Sequence, residues 1–504
     1  RDTAPRTGRR ASVKIMPNTA ISRRAVLGGG LAVAGAALLS VRGQAKAPAE
    51  LPARMVAAAS GEKRVSLVAA ERTLKLMGAD RPASQVWTYG DAPFDLVRLA
   101  QGESLAIDFE NQLPEHTSIH WHGLRIPNDQ DGVPYITQAP VKPGERHAYN
   151  FTPPDTGTFW FHPHCDTAAQ LGRGLAGVMI VEGDETRAYD ADIAIVLKDW
   201  RLDVKTGGYL PFTTTRGELR AGTFGTVRTA NAEIAPRMEL PAGGDVRLRL
   251  LNLDSTRVGS VGFEGMEAAI IAIDGNPIAP FPLREWRFGP AMRLDVVVRA
   301  PAAGAEGRLM DFFAADPVTL ATFVGKGDAK KARAFDPAPL SRSSVPEPKL
   351  KGADRLSFAF ATASGGKAAL ATSADAGDPL AEAMLDSLCA SSKTNWSING
   401  QSWPGGDHSR VPPPLFTLRE GRTYVAELTN ETPHVHPIHL HGFTFKVIKS
   451  TRADLPVHFA DTVLLTPNDR ITIAFVADRV GAWMVHCHLI EHQETGMMGY
   501  LRVV

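Results

Sequence analysis

The sequence predicts an all-β protein assembled from three related sandwich- or small-barrel-like units. Three observations carry this prediction. Short apolar stretches alternate with period two and are broken by Gly, Pro and Asn/Asp. Helical periodicity is rare beyond residue 60, and 36 prolines with 46 glycines supply the turns that many short strands need. A strand-and-loop pattern also recurs along the chain. With 504 residues, 44% hydrophobic and 22% charged, the composition is that of a globular protein, not a disordered or fibrous one.

The first element reads as an address. Met16 reads as an initiator, Ser22-Arg23-Arg24 as a basic head, Ala25 to Val41 as an uncharged core and Gln44-Ala45-Lys46-Ala47 as an Ala-x-Ala cleavage site. The arginine pair followed by Ala-Val-Leu resembles a twin-arginine signal. The core is short and rich in Gly and Ala, weak for a spanning helix. Residues 1–47 are therefore expected to be cleaved, leaving a periplasmic protein with no stable membrane insertion. Outside that segment 46 basic residues stand against 53 acidic ones, a net charge of −7. A mildly acidic body argues against nucleic acid as a partner.

The repeat then organises the body. Leu96-Val-Arg-Leu-Ala-Gln-Gly-Glu103 and Leu415-Phe-Thr-Leu-Arg-Glu-Gly-Arg422 each lead to an Asn-x-(Leu/Thr)-Pro turn, Asn111–Pro114 and Asn430–Pro433. A His-x-His cluster follows in both. The middle copy, from Leu240 through Asp245-Val-Arg-Leu-Arg-Leu-Leu251 to Leu253, has the strand and the Asn but no His cluster. The expected units are 60–184, 185–335 and 353–504, with 336–352 as a linker. The alternation in 245–251 and in Arg470-Ile-Thr-Ile-Ala-Phe-Val476 predicts half-buried strands. The Ala-, Gly- and Ser-rich stretch 363–377 reads as a surface loop.

Four His-x-His pairs stand out: His120/His122, His162/His164, His439/His441 and His486/His488. On a strand, residues i and i+2 face the same way, so each pair aims two imidazoles at one point. A lone pair is as readily core filler as a ligand; four pairs in two repeats are not. Eight imidazoles can hold three metals as three, three and two, and imidazole suits copper, iron, nickel and zinc. Cys487 lies between His486 and His488 and so faces the other way. With His492, Met497 and, upstream, His436, it makes a second site of two His, one Cys and a weak axial Met, the donor set of a blue-copper electron-transfer centre. Zinc does not favour a single Cys with Met.

The motifs HWHGLRIP, FWFHPH, HVHPIHLHG and HCHLIEHQETGM together resemble those of the multicopper oxidases, the family of laccases and bacterial copper-efflux oxidases. The resemblance covers the mature chain. It implies three consecutive cupredoxin-like Greek-key domains and four copper ions. By the same resemblance the type 1 copper takes His436, Cys487 and His492 with Met497 axial, and the type 2 copper takes His120 and His439. One type 3 copper takes His122, His162 and His488, and the other takes His164, His441 and His486. Every ligand position is filled, unlike in relatives of this fold that have lost their coppers.

The resemblance further implies that a reducing substrate gives single electrons to the type 1 site and that dioxygen is reduced to water at the other three coppers. Asp131 matches the family's acid beside the type 2 site; the competing reading is a plain turn Asp before Gly132. A second acid often follows the last type 1 His, but here that residue is Gln493. Glu491 and Glu494 flank it, and either could pass protons through water. Twelve Met with no Met-rich run tilt the reductant towards phenols or aryl amines rather than Cu(I). A periplasmic metal-ion oxidase and a copper-binding resistance protein with little turnover are the alternatives, while copper nitrite reductases lack the eight trinuclear His. A monomer suffices, since the first and third domains of one chain can build the cluster. His116, His147, His408, His434 and His458 lack a motif position. Cys165 is expected to point away from the metals, and a Cys165–Cys389 disulfide is one reading of the remaining cysteines.

Overall fold

A computed structural model describes residue 46, residue 51, residues 56–57, 63–183, 188–328, 330, 333–363, 394–404 and 410–504. The signal-like segment, apart from Lys46, lies outside the described residues, as do Cys389, His408 and nearly all of the loop 363–377. Lys46 forms a β-bridge with Met238, one residue before the expected cut.

The all-β expectation holds. Six sheets form three consecutive sandwiches, and the described helices are short: Thr167–Gly172, Thr215–Glu218 and Ile490–Glu494. None of the described helices is long and apolar enough to cross a membrane. In the first sandwich a sheet built on Lys63–Leu74, Leu105–Asn111 and Arg146–Phe151 packs on the order Leu96–Ala100, Gly177–Glu182, Gly157–His162, His120–His122. The third sandwich repeats this plan, with His436–Leu440 between Thr462–Leu465 and Gly481–Cys487. The two asparagines of the repeat do the same work in both. Asn111 and Asn430 are buried, and each side-chain amide donates to backbone carbonyls that hold the loop ahead of the His cluster.

One strand differs from its sequence reading. Asp245–Asn252 is buried along its whole length, because it is central in a six-stranded sheet and its polar face is covered too. Arg247 and Arg249 emerge there into ion pairs with Asp295 and Asp192, and Asp295 accepts from Thr158 of the first sandwich at 2.8 Å. Alternation marks two faces; it does not say that the polar one is wet.

The segment read as a linker runs without regular structure across the first sandwich. Ser344 donates to the Pro154 carbonyl and to Asp155, which is itself paired with Arg125.

Candidate metal centres

Strand register brings the His pairs together. His120 lies opposite His162 and His439 opposite His486, so each couple shares a face, while Ile438 lies opposite Cys487 on the other face. Only His120/His122 lies wholly within one strand; His164, His441 and His488 sit just past strand ends. The two halves meet between the first and third sandwiches. His122 stacks on His439 with centroids 3.7 Å apart, and His120 on His441 at 3.8 Å. Donor atoms within 4.8 Å of one another group as His120/His122/His439, His122/His162/His488 and His164/His441/His486.

Gly123 and Gly132 permit this approach. Both have positive φ; a Cβ on Gly132 would sit 1.7 Å from the Ile119 carbonyl, and one on Gly123 would strike Asp461 and Arg293.

Hydrogen bonds fix which nitrogen of each ring faces inward. A carbonyl can only accept, so a ring nitrogen bonded to one carries the proton and leaves the other nitrogen with its lone pair. Nδ1 of His120 donates to the Asp131 carbonyl, of His162 to Pro163, of His439 to Asp461 and of His486 to Cys487. Nδ1 of His441 donates to the Asp131 carboxylate at 2.9 Å, and Nε2 of His122 to the Asp461 carboxylate at 3.1 Å. Of the inward nitrogens that result, Nε2 of His120, His162 and His439 and Nδ1 of His122 are buried with no hydrogen-bond partner, as are His164 Nε2 and both nitrogens of His488, while Nε2 of His441 and of His486 lie 3.1 Å apart. Burial and then neighbouring imidazoles push His162, His164, His441 and His488 well below the ordinary value, so these rings are neutral.

The second site is as well formed. Cys487 Sγ lies 3.6 Å from His436 Nδ1 and 3.7 Å from His492 Nδ1, and those nitrogens are 3.0 Å apart. Thr432 holds His436 from its Nε2, and the Arg220 carbonyl holds His492 from its Nε2 at 2.6 Å. Met497 is buried in the same core, and its carbonyl accepts from the Cys487 amide. The Trp396 ring stands 4.3 Å from His492.

These geometries accord with known proteins. The multicopper oxidase profiles match residues 72–186 and 379–504. The crystal structure of a multi-copper oxidase from Pseudomonas thermotolerans is 38% identical, covers 88% of this chain and 99% of its own, and superposes with a TM-score of 0.76. The chain belongs to the multicopper oxidase family. Among curated relatives, multicopper oxidase MmcO of Mycobacterium tuberculosis is 28% identical over 82% of each chain. Laccase-1 of Botryotinia fuckeliana is 26% identical, covering 86% of this chain and 80% of that protein.

The donors fit the copper that this family implies. Partnerless lone pairs on neutral buried imidazoles are costly unless something accepts them. Burial also pushes the Cys487 thiol up, so a thiolate there requires a cation beside it.

The multicopper oxidase acids separate by location. Asp131 touches both His120 and His441. Glu494 lines a cavity of about 590 Å³ that reaches His164 and includes Glu115, Asp166, Cys165 and the buried Gln493. Glu491 faces elsewhere. Its carboxylate accepts from Thr214 and Thr223 of the middle sandwich, and burial, outweighing those bonds, pushes its pKa up to about 7. Of the four described His without a motif position, His434 bears on the second site, with its ring 5.9 Å from Trp396 and its charge acting on His436. His147 is half-buried against Tyr149, His458 is buried on the Pro456 carbonyl, and His116 lines the large cavity.

Sequence reasoning missed the group that joins all three sandwiches. Asp461 bears on His122 and His439. It is gripped by Arg293 of the middle sandwich, with Nη1 at 2.8 Å and Nη2 at 2.5 Å. Burial alone would raise Asp461, but the guanidinium holds it below the usual carboxylate range. Arg293 Nε reaches the Thr158 carbonyl of the first sandwich, and Asp274 accepts from the backbone of Arg293, Asp461 and Thr462. The one available signal was Gly123, directly after a His pair, where a close approach is common.

Proposed function

We propose that this multicopper oxidase takes single electrons from phenols or aryl amines and reduces dioxygen to water. The observation that carries the reading is the set of inward, partnerless imidazole nitrogens between two sandwiches, one residue away from a Cys/His/His triangle. On this reading His436, Cys487, His492 and Met497 would hold one type 1 copper. His120 and His439 take the type 2 ion. His122/His162/His488 and His164/His441/His486 take the two type 3 ions. Bound copper would supply the redox chemistry, one electron at a time at the first site and four to each dioxygen at the second. Four phenols then lose four electrons and four protons, and one dioxygen becomes two waters.

The protein's own residues give this direction. Cys487 is covalently joined to His486 and His488, so the two sites share a short backbone path. The carbonyls of Asp131, Pro163, Asp461 and Cys487 hold the rings in the ligating tautomer. Burial excludes bulk water, and the Glu494 cavity admits small molecules to the His164 side. The chain is read as a monomer with domains 60–184, 185–335 and 353–504, exported by its twin-arginine segment to the periplasm. Mass spectrometry should find a mature N-terminus following Ala47.

Metal analysis of the copper-loaded chain tests the assignment. Four equivalents and an intense thiolate-to-metal band are expected, with oxygen uptake on a phenol exceeding that on Cu(I), Fe(II) or Mn(II). Far fewer equivalents would end the four-copper reading; four with no oxygen uptake would make this a copper-binding resistance protein.

Two proton roles follow. Asp131→Asn keeps the shape but removes the charge beside His120 and His441. It should slow oxygen reduction about 10–100-fold while the thiolate band stays unchanged. Glu494→Gln should slow the same half-reaction on the order of tenfold or more, with single-electron reduction of the type 1 site unaffected in stopped flow. Glu491→Gln should not, since Glu491 is committed to Thr214 and Thr223.

A further inference from the structure

His492 is fully buried, although its Nε2 points out of the Cys487 site. What buries it is a loop of the middle sandwich, residues 214–223. The loop is closed on itself at a neck. Thr214 and Thr223 hydroxyls are 2.8 Å apart, Thr214 Oγ1 accepts from the Gly217 amide, and the Gly222 amide donates to the Gly217 carbonyl. It is tied down at three points on the His492 side. Glu491 accepts from the Thr223 amide and hydroxyl. Trp396, whose ring lies tilted against His492 with centroids 4.3 Å apart, donates its indole N–H to the Glu218 carbonyl at 2.7 Å. The Arg220 carbonyl accepts a hydrogen bond from His492 Nε2. The outer side of the loop carries the exposed Thr215, Arg216 and Ala221. The Arg220 guanidinium bears on His434, whose pKa is lowered to about 4, chiefly by burial and then by this charge.

We propose that loop 214–223 is a cover that determines which reductants the oxidase accepts. Donors that gain by touching the His492 imidazole, bulky phenols among them, are slowed by it but not excluded. Donors that pass an electron through the Arg220 main chain, favoured if anionic by Arg216 and Arg220, are accepted. The inference rests on the Cys487 site being the electron acceptor. Each transfer removes one electron from the donor, and a phenol releases its O–H proton to solvent as it becomes a phenoxyl radical. The cover follows from the chain's own connectivity. The neck closes the loop on itself, and what holds it over the site is the Glu491, Trp396 and His492 hydrogen bonds described above together with Leu219, which is seated in the apolar core of the third sandwich.

The test compares the copper-loaded full chain with a variant whose residues 215–222 are replaced by two glycines. The close Thr214–Thr223 neck makes such an excision geometrically easy. The first readout is the ratio of kcat/KM for 2,6-dimethoxyphenol to that for hexacyanoferrate(II). The second, made on the copper-free form of both proteins so that no metal occupies the His492 ring, is carbethoxylation of His492 by diethyl pyrocarbonate, mapped by mass spectrometry. The ratio should rise about tenfold or more, and His492 should change from protected to modified. A ratio unchanged within about twofold, or His492 modified equally in both proteins, overturns the proposal. Thr223→Val keeps the whole loop but removes the hydroxyl tie to Glu491. It should shift both readouts the same way by a smaller factor, about threefold in the ratio, and it decides the matter if the shortened loop fails to fold. Absence of the thiolate band from the unaltered protein would instead remove the electron-acceptor reading on which the cover depends.

Discussion

Cys487→Ser should abolish both the intense visible band and all oxygen uptake, while copper falls from four equivalents to three. Serine is nearly isosteric, and Cys487 is fully buried among the apolar side chains of the third sandwich, so the fold should persist. What changes is the donor. A thiolate is soft and gives strong charge transfer to copper; a hydroxyl at that position is hard, reaches less far and stays protonated. The backbone amide of Leu489 donates to the Sγ at 3.4 Å, a weak interaction that cannot by itself hold an anion there. The eight imidazoles on the other face of the strand keep their tautomers, because His486 and His488 are held by backbone and packing. Absorption spectroscopy, metal analysis and an oxygen electrode read the three effects separately. Persistence of the band would show that Cys487 is not its source.

Arg293→Met should have the largest effect on stability and a selective effect on metal content. Arg293, Asp274 and Asp461 are fully or almost fully buried. Removing the cation leaves two carboxylates without their charge partner, at a cost of about 3–5 kcal/mol. The Asp461 carboxylate would no longer be held against His122 Nε2 and His439 Nδ1. Those rings should lose their fixed orientation, and the protein should load about two coppers, keeping the type 1 ion and the one on His164, His441 and His486, with a broadened or missing type 2 EPR signal. The thiolate band should survive, since His436, Cys487 and His492 are not in this network. Urea unfolding, metal analysis and EPR check this. Wild-type stability with four coppers would show that the junction plays no positioning part. Arg293→Lys should rescue partially, because an ammonium keeps the charge but not the two-pronged grip.

The contrast between these sites explains what the sequence could and could not disclose. Period two in Arg470–Val476 marked a strand reliably, since alternate residues face a core. The His-x-His pairs and Cys487 were legible because each motif starts on a strand whose register sets the first His, even though His164, His441 and His488 lie just past the strand ends. Arg293 and Asp461 were not, since they lie 168 positions apart and meet only when separate sandwiches dock. The alternating arginines of Asp245–Asn252 misled for the same reason, as their covered face depends on another unit. Glu491 and Glu494 looked equivalent in the sequence. They lie three residues apart on one short helix, and their partners separate them: Glu491 is bound to Thr223, while Glu494 accepts from the Thr167 amide at the cavity.

The division of ligands between sandwiches also bears on how the protein is made. His120, His162 and His164 already have donor atoms within 4.8 Å of one another, and all three belong to the first sandwich. His122, by contrast, meets Asp461, its partner, across 339 positions of chain. A growing polypeptide folds its leading unit first. For the time needed to synthesise the remainder, it therefore displays a three-imidazole chelate with no counterpart. Such a half-site would accept whichever divalent ion is most available, zinc included. Fidelity of metal choice then depends less on the finished pocket than on which ions the nascent chain encounters before its last third arrives.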